Sequence, residues 1–426
     1  MSRERRAQAA DLENSWVSKL AQQTHAAMVL IELRFFGESM PAPFNDDMLK
    51  YLNVEQMTAD IRQFLARAGA AGLVPEQAPW VLIGGSFSGS LMAWTKYRHA
   101  VDALVIASSA PMRVVDGFWE FDNMVAKRLP CASQLSSAIR SVDAVLDAQN
   151  ATNIKRLNQQ FGLDSADSIV QASTSLIAQV SQLMLESAGS QVREQIAQFC
   201  NHFSRATSVE ALASAMRADY KHHQLDSLAK DECPQGDELS WFWLQCTELG
   251  LWQTAPPAGS DMFGRRLRSR RLSVEYFEAQ CSRCLPDSWS TWKRQWKQGF
   301  RAFSQEAIAQ YRGRDLFTVG ELDPWNALAM DNRQGHNEAE VLVIESAAHT
   351  EDLRSSDEDD DEQKDAHGAT AVEDSRRHII DMVQKWSADF GDMHMRRMSD
   401  AGSSRSAFAV RRVFALTLAV MCAFIR

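Results

Sequence analysis

The sequence lacks an apolar run long enough to cross a bilayer as a helix. Its C-terminal apolar stretch, Val413–Ile425, has 13 residues, where about 20 are needed. The N-terminus, MSRERRAQAADLENSW, starts basic but has no apolar core behind the charges, so no signal peptide is read there. An excess of positive charge is also missing: 45 Lys and Arg stand against 55 Asp and Glu, a net charge of −10. That balance argues against a nucleic-acid surface. The consecutive acids Asp357 to Glu362 supply −6 of it, leaving −4 for the rest of the chain, and such a run reads as a solvated loop. Cys281-x-x-Cys284 has no second CxxC and no paired histidines, so it is a weak zinc signal, and neither a metal nor another cofactor is expected. No internal repeat is visible.

What is present is an ordinary globular composition: 426 residues, 45% hydrophobic and 23% charged. That is enough for a large core and two domains, or one domain with a large insertion. Six of the seven cysteines lie between Cys131 and Cys284, and Cys422 stands apart. Such clustering suits disulfides formed in an oxidising compartment, with the pairing open. Asn150-Ala151-Thr152 is a glycosylation sequon consistent with that setting. Small residues ahead of the C-terminal apolar tail also fit a lipid-anchor signal. Arg411 and Arg412 interrupt it, so membrane association stays open.

Strand and helix patterns alternate through the first hundred residues. AAMVLIELRFF (26–36), WVLIGGS (80–86) and VDALVIASSAP (101–111) have the continuous apolar runs of strands buried on both faces. Between the first two, VEQMTADIRQFLARAGA places Met57, Ile61, Phe64 and Leu65 on one side of a helix. This alternation predicts a parallel α/β sheet. From about 112 to 310 the pattern turns helical, and strands return in DLFTVGELDPW and AEVLVIESAAHTEDL, before a closing helix SRRHIIDMVQKWSADF. The predicted division is a first core segment 12–111, a helical cap insertion 112–310, a second core segment 311–390, and a tail 391–426 read as disordered and then apolar. The segments 355–370 and 392–406 read as an acidic loop and a disordered linker.

The stretch VLIGGSFSGSLMAWTKY (81–97) puts Ser86 where a buried strand meets a helix. A tight strand-to-helix turn lifts the central side chain clear of the sheet and aims the free N–H groups of the helix start at whatever binds there. The residues around it must be small, as Gly84, Gly85, Ser88 and Gly89 are. The pattern departs from G-x-S-x-G only in Ser88. In α/β hydrolases the triad runs serine, acid, histidine along the chain. Here Asp323 follows a strand in TVGELDPW and His349 follows the next in IESAAHTEDL. A serine hydroxyl needs an imidazole to take its proton, and a carboxylate must hold the imidazole's tautomer. Ser86, Asp323 and His349 are therefore the candidate nucleophile, acid and base, and the backbone N–H of Phe87 is a candidate oxyanion donor.

The chain resembles the family of serine peptidases that includes lysosomal Pro-Xaa carboxypeptidase, dipeptidyl peptidase II and the thymus-specific serine protease. The resemblance rests on ELRFFGESMP (32–41), YLNVEQMTADIRQFL (51–65), GGSFSG (84–89), ASSAP (107–111), WFWLQCTELG (241–250), GELDPW (320–325) and AHTEDLR (348–354), which fall in the family's order. It implies an α/β-hydrolase core with a helical cap, cleavage beside proline in peptide substrates, and a secretory, vacuolar, lysosomal or extracellular setting, with a homodimer among the admissible assemblies. Trp325 matches a pocket tryptophan, and Ser90 stands where some relatives carry an apolar pocket residue. Asn150 is the candidate glycosylation site. Leu33, Phe35, Phe36 and Thr350 depart from the family pattern of histidines and tyrosines.

Five strands are predicted, near residues 28, 81, 103, 316 and 342, against eight in a full α/β-hydrolase core. Relatives carry three strands before the point where this chain begins, and the third lies between those at 28 and 81. Without it a row of backbone groups is left unpaired, and the loop that supplies the second oxyanion donor is lost. Three functional readings follow. The first is an exopeptidase for proline-containing peptides, as a carboxypeptidase needing a cation for the free carboxylate, or as a dipeptidyl peptidase needing an anion such as Glu248 or Glu321. The second is a catalytically impaired homologue. The third is a lipase-like esterase, which the Asp-Pro-Trp and Cys-Thr-Glu segments disfavour.

Overall fold

The computed structural model describes residues 6–423 except 14, 42–44, 77, 163–169, 171–179, 186, 188, 206–207, 221–232, 258, 260–265, 314, 331–338, 356–365 and 401–417. The predicted acidic run Asp357–Glu362 lies outside the described residues.

Six parallel strands form one sheet in the order β1-β6-β2-β3-β4-β5. They are β1 (Ala26–Leu30), β2 (Trp80–Gly85), β3 (Ala103–Ser108), β4 (Leu316–Gly320), β5 (Glu340–Ile344) and β6 (Leu418–Ala423). Every residue of β2, β3 and β4 is buried, as their unbroken apolar runs require when helices cover both faces. Alternate side chains feed two cores. Leu82, Val105 and Phe317 join the larger one, together with Met57 and Ile61 from the helix Val54–Ala68. Val81, Ile83, Leu104, Ile106 and Leu316 join the smaller one on the opposite face, with Trp16, Val17 and Leu20 from the helix Trp16–Thr24 and Ile379 and Val383 from the helix Ala366–Asp400.

Five strands stand near the positions read from the sequence, although β1 ends at Leu30 and is half-buried, not buried on both faces along 26–36; the sixth was not expected. The tail 391–426 was expected to be disordered and then apolar. The closing helix continues to Asp400, residues 401–417 of that tail lie outside the described residues, and Leu418–Ala423 is a strand lying between β1 and β2. Val420 is paired with Met28 on one side and Val81 on the other. The expected row of unpaired backbone groups between β1 and β2 is thus filled by the tail, because an apolar extended segment gains both ladders there.

The helices that separate β3 from β4 include Glu120–Arg128, Ala132–Asp147, Ala151–Phe161, Gly189–Phe203, Val209–Tyr220, Asp237–Leu244, Val274–Cys284 and Trp289–Gln310. Three disulfides tie this region together: Cys131–Cys200, Cys233–Cys284 and Cys246–Cys281. The two halves of the CxxC belong to different disulfides, so neither is available as a thiolate ligand. The bridges close loops with sequence separations of 69 and 35 residues at Cys131–Cys200 and Cys246–Cys281. Chain entropy then makes the longer one more stabilising by about 0.6 kcal/mol. Urea unfolding of Cys131→Ser/Cys200→Ser and Cys246→Ser/Cys281→Ser should each show a loss of about 2–4 kcal/mol, larger for the first pair; the reverse order would contradict the entropic account.

Candidate active site

β2 runs without a break into the helix Ser86–His99, and Ser86 takes a left-handed backbone conformation with φ +55°. A serine pays for that conformation only where the surroundings impose it. Here they do. A β-carbon at Gly84 would stand 2.6 Å from the backbone N of Gly89, and one at Gly89 would stand 2.7 Å from the carbonyl of Gly84. The close approach that demands glycine therefore falls on Gly84 and Gly89, which is why a serine fits at position 88. Phe87 is the second residue of this helix, where backbone N–H groups have no acceptor within the helix. Its ring is buried edge-on against Trp241, at 5.2 Å between centroids.

Asp323 follows β4 and His349 follows β5, and they meet: Nδ1 of His349 lies 2.8 Å from Oδ2 of Asp323. Both are buried, Asp323 completely. The other carboxylate oxygen accepts from the backbone N–H of Trp325 at 2.9 Å, so the short turn Pro324–Leu328 fixes the acid. Nε2 of His349 is buried and makes no hydrogen bond among the described residues. The histidine loop lies against the serine turn, since a β-carbon at Gly85 would be 3.0 Å from Cγ2 of Thr350.

The loop carrying His349 is held by groups that the sequence reading did not single out. The carboxylate of Asp352 accepts from the hydroxyls of Ser108 on β3 and Thr318 on β4, each at 2.5 Å. Arg376, from the closing helix, donates to the carbonyls of Glu351, Asp352 and Arg354. Glu351 accepts from the backbone N–H groups of Ala348 and Gly189, and Arg354 donates to the carbonyls of His349 and Leu185. Of these four anchors, Glu351, Asp352 and Arg354 sit in the segment AHTEDLR (348–354) and Arg376 packs onto it.

The remaining candidates fall in different places. Trp325 is half-buried with its ring 5.2 Å from Phe118 and 5.7 Å from Phe121. Ser90 is fully buried and its hydroxyl donates to the carbonyl of Pro111 at 3.1 Å. Asn150 is exposed and caps the helix Ala151–Phe161 by accepting from the N–H of Asn153. Leu33, Phe35 and Phe36 are buried in the larger core. Arg128, half-buried, donates to the carbonyl of Glu321; burial pulls its pKa down, against the opposing pull of Glu321 and Asp323. Glu321 itself accepts from the N–H of Ser346 at 2.9 Å. Among the described residues no three His, Cys, Asp or Glu side chains converge to hold a metal.

Glu248 lies in the π-helical turn Gln245–Leu249, and its carboxylate accepts from the N–H of Val54 at 2.8 Å, at the start of the helix Val54–Ala68. Burial pushes its pKa up to about 7, although the Val54 N–H pulls it down. A carboxyl raised in the folded state contributes stability that is present below its ordinary value of 4.5 and is lost as pH rises through about 7. Between those limits, thermal denaturation should show the parent losing more stability than Glu248→Gln; parallel pH profiles would refute the assignment.

The model of the serine carboxypeptidase S28 family matches residues 1–370. The chain is 24% identical to serine protease vicPa of Bipolaris victoriae (strain FI3), over 78% of the chain and 72% of that relative. It is 27% identical to the thymus-specific serine protease of Mus musculus, over 78% of the chain and 70% of that relative. A shorter match, 27% identical over 36% of the chain and 23% of the relative, is to a probable extracellular serine carboxypeptidase of Arthroderma benhamiae. The chain belongs to the serine carboxypeptidase S28 family and is a serine-type peptidase.

Proposed function

We propose that the protein is an exopeptidase for proline-containing peptides, with Ser86 as nucleophile, His349 as base and Asp323 as the acid that orients it. The observation that carries this reading is the buried Asp323–His349 pair, 2.8 Å apart, with Nε2 unpaired among the described residues and the loop resting on the turn that strains Ser86. Oγ of Ser86 attacks the scissile carbonyl carbon and its proton passes to Nε2. The N–H of Phe87 stabilises the oxyanion, and the protonated imidazole gives its proton to the departing amine. Water, deprotonated by the same nitrogen, then hydrolyses the acyl ester and restores Ser86. Trp325, beside Phe118 and Phe121, supplies an apolar wall suited to a proline ring.

The carboxypeptidase mode is favoured over the dipeptidyl mode. That mode needs a cation, and Arg128 lies next to Glu321 and Asp323. Of the two acids proposed for an amine, Glu248 is buried against Val54 and Glu321 is engaged by Ser346. Three disulfides, the exposed sequon at Asn150 and the extracellular name of one relative support a secretory or lysosomal setting. The described residues include no helix long and apolar enough to cross a membrane. The second reading is a catalytically impaired homologue. Its basis is that the N–H of Phe87 is the one oxyanion donor named among the described residues, and removing one such donor costs roughly 10²–10³ in rate.

A fluorophosphonate probe decides between them. The parent chain should be labelled and Ser86→Ala should not; labelling that survives the substitution removes Ser86 from its role, and an unlabelled parent supports the impaired homologue. With peptides ending in Pro-Phe, Arg128→Gln should raise KM about tenfold or more, the loss of one charge-assisted contact. It should leave the C-terminally amidated peptide unchanged, and an equal effect on both would exclude carboxylate recognition by Arg128.

A further inference from the structure

Ser86, Ser109, Ser346 and Thr350, on the turns that follow β2, β3 and β5, all take left-handed backbone conformations, with φ of +55°, +51°, +56° and +54°. Among these Thr350 is the β-branched one, and it follows His349 directly. A branched side chain crowds its own backbone in that region, so the conformation persists only where the surroundings impose it.

The surroundings that impose it are strand ends. The N–H of Thr350 donates to Oγ of Ser109 at 2.9 Å. Ser109 comes directly after β3, is buried, and donates its own N–H to the carbonyl of Thr318 on β4 at 2.7 Å. The carbonyl of Thr350 accepts from the N–H of Leu353 at 3.1 Å. On the other side lies Gly85, the last residue of β2. A β-carbon there would stand 3.0 Å from Cγ2 of Thr350 and 3.5 Å from its Cβ, while the next atom, Cδ1 of Leu353, would be in ordinary contact at 3.7 Å. The backbone of Gly85 is extended, with φ −103°, which any residue adopts. Conformation therefore does not demand glycine at this position; the threonine methyl does. The Thr350 side chain makes no capping hydrogen bond to the turn Glu351–Leu353, so its contact with the serine turn rests on that methyl.

We propose that Thr350 is a positioning residue: its backbone, bent by Ser109, and its methyl, set against Gly85, fix how the His349 imidazole stands relative to the Ser86 hydroxyl. This role rests on the peptidase reading above. Thr350 is one residue from His349, and Gly85 is one residue from Ser86, so the contact joins the two ends of the proton transfer through backbone, with no long side chain between them. Such a transfer tolerates little displacement, a shift of 1 Å costing about 10² in rate. The strained backbone is thus stored beside the base, and three strand ends hold it there.

The test measures, on the full chain, the rate constant of fluorophosphonate labelling and the melting temperature. Thr350→Gly removes the methyl and relieves the backbone. It should melt no lower than the parent and yet be labelled about fivefold more slowly. Thr350→Val, which keeps the branched shape, should be labelled as the parent is. Gly85→Ala should also slow labelling, because its β-carbon meets the methyl. Gly85→Ala/Thr350→Gly should be labelled faster than either single variant, since the added β-carbon fills the space that the methyl leaves. Losses that simply multiply in the double variant would overturn the proposal, as would a Thr350→Val variant as slow as Thr350→Gly. A Thr350→Gly variant that melts lower but is labelled normally would mark a purely structural residue and overturn it equally. Where Gly85→Ala does not fold, the two Thr350 variants decide alone. An unlabelled parent would remove the peptidase reading and this role with it; a labelled parent whose Thr350→Gly variant keeps the parent's rate would remove the positioning role alone.

Discussion

A buried strand with hydrogen bonds on both edges is the constraint from which the rest follows. β2 is buried along its whole length, so no water is at hand to satisfy its backbone, and both of its ladders must be made by other strands. β3 supplies one and β6 the other. Because β2 also ends in the strained turn at Ser86, the pairing that satisfies its amides also aims the serine hydroxyl. A strained φ at a single residue costs on the order of 1–3 kcal/mol, and a strand held on both sides can impose it.

The histidine loop follows the same logic from the other direction. His349 lies on an irregular connection after β5, and a loop of that kind is ordinarily mobile. Here the carboxylate of Asp352 draws it onto β3 and β4 through two hydroxyls, and Arg376 bridges three of its carbonyls from the closing helix. Charged groups make these bonds stronger than neutral ones, and Asp352 and Arg376 are both buried. The imidazole is thus placed by polar contacts to rigid elements, while Asp323 fixes its ring through Nδ1. Among the described residues the buried Nε2 makes no hydrogen bond, so the ring is held from its Nδ1 side.

The positions of the candidate residues relative to the strands were legible because short local signals mark them. Gly84-Gly85-Ser86 follows an apolar run, and Asp323-Pro324 and His349 each follow another; a strand end plus a turn former is enough to place a side chain at the sheet's edge. The anchors were not legible in the same way. Asp352 looks like any loop acid until Ser108 and Thr318 are brought to it from positions 244 and 34 residues away. Glu248, a candidate for binding an amine, turned out to be spent on the N–H of Val54.

The sequence alone determined the parallel α/β character, five of the strands and the order serine, acid, histidine, because those depend on apolar periodicity and on turn chemistry within a dozen residues. Tertiary structure decided the partners of the six bridged cysteines and the place of the C-terminal segment. A hydrophobic hexamer such as Leu418–Ala423 has no local feature that says which backbone it will pair with. That choice is made by two strand edges folded from the opposite end of the chain, whose unpaired amides and carbonyls exist only once the rest of the sheet has formed.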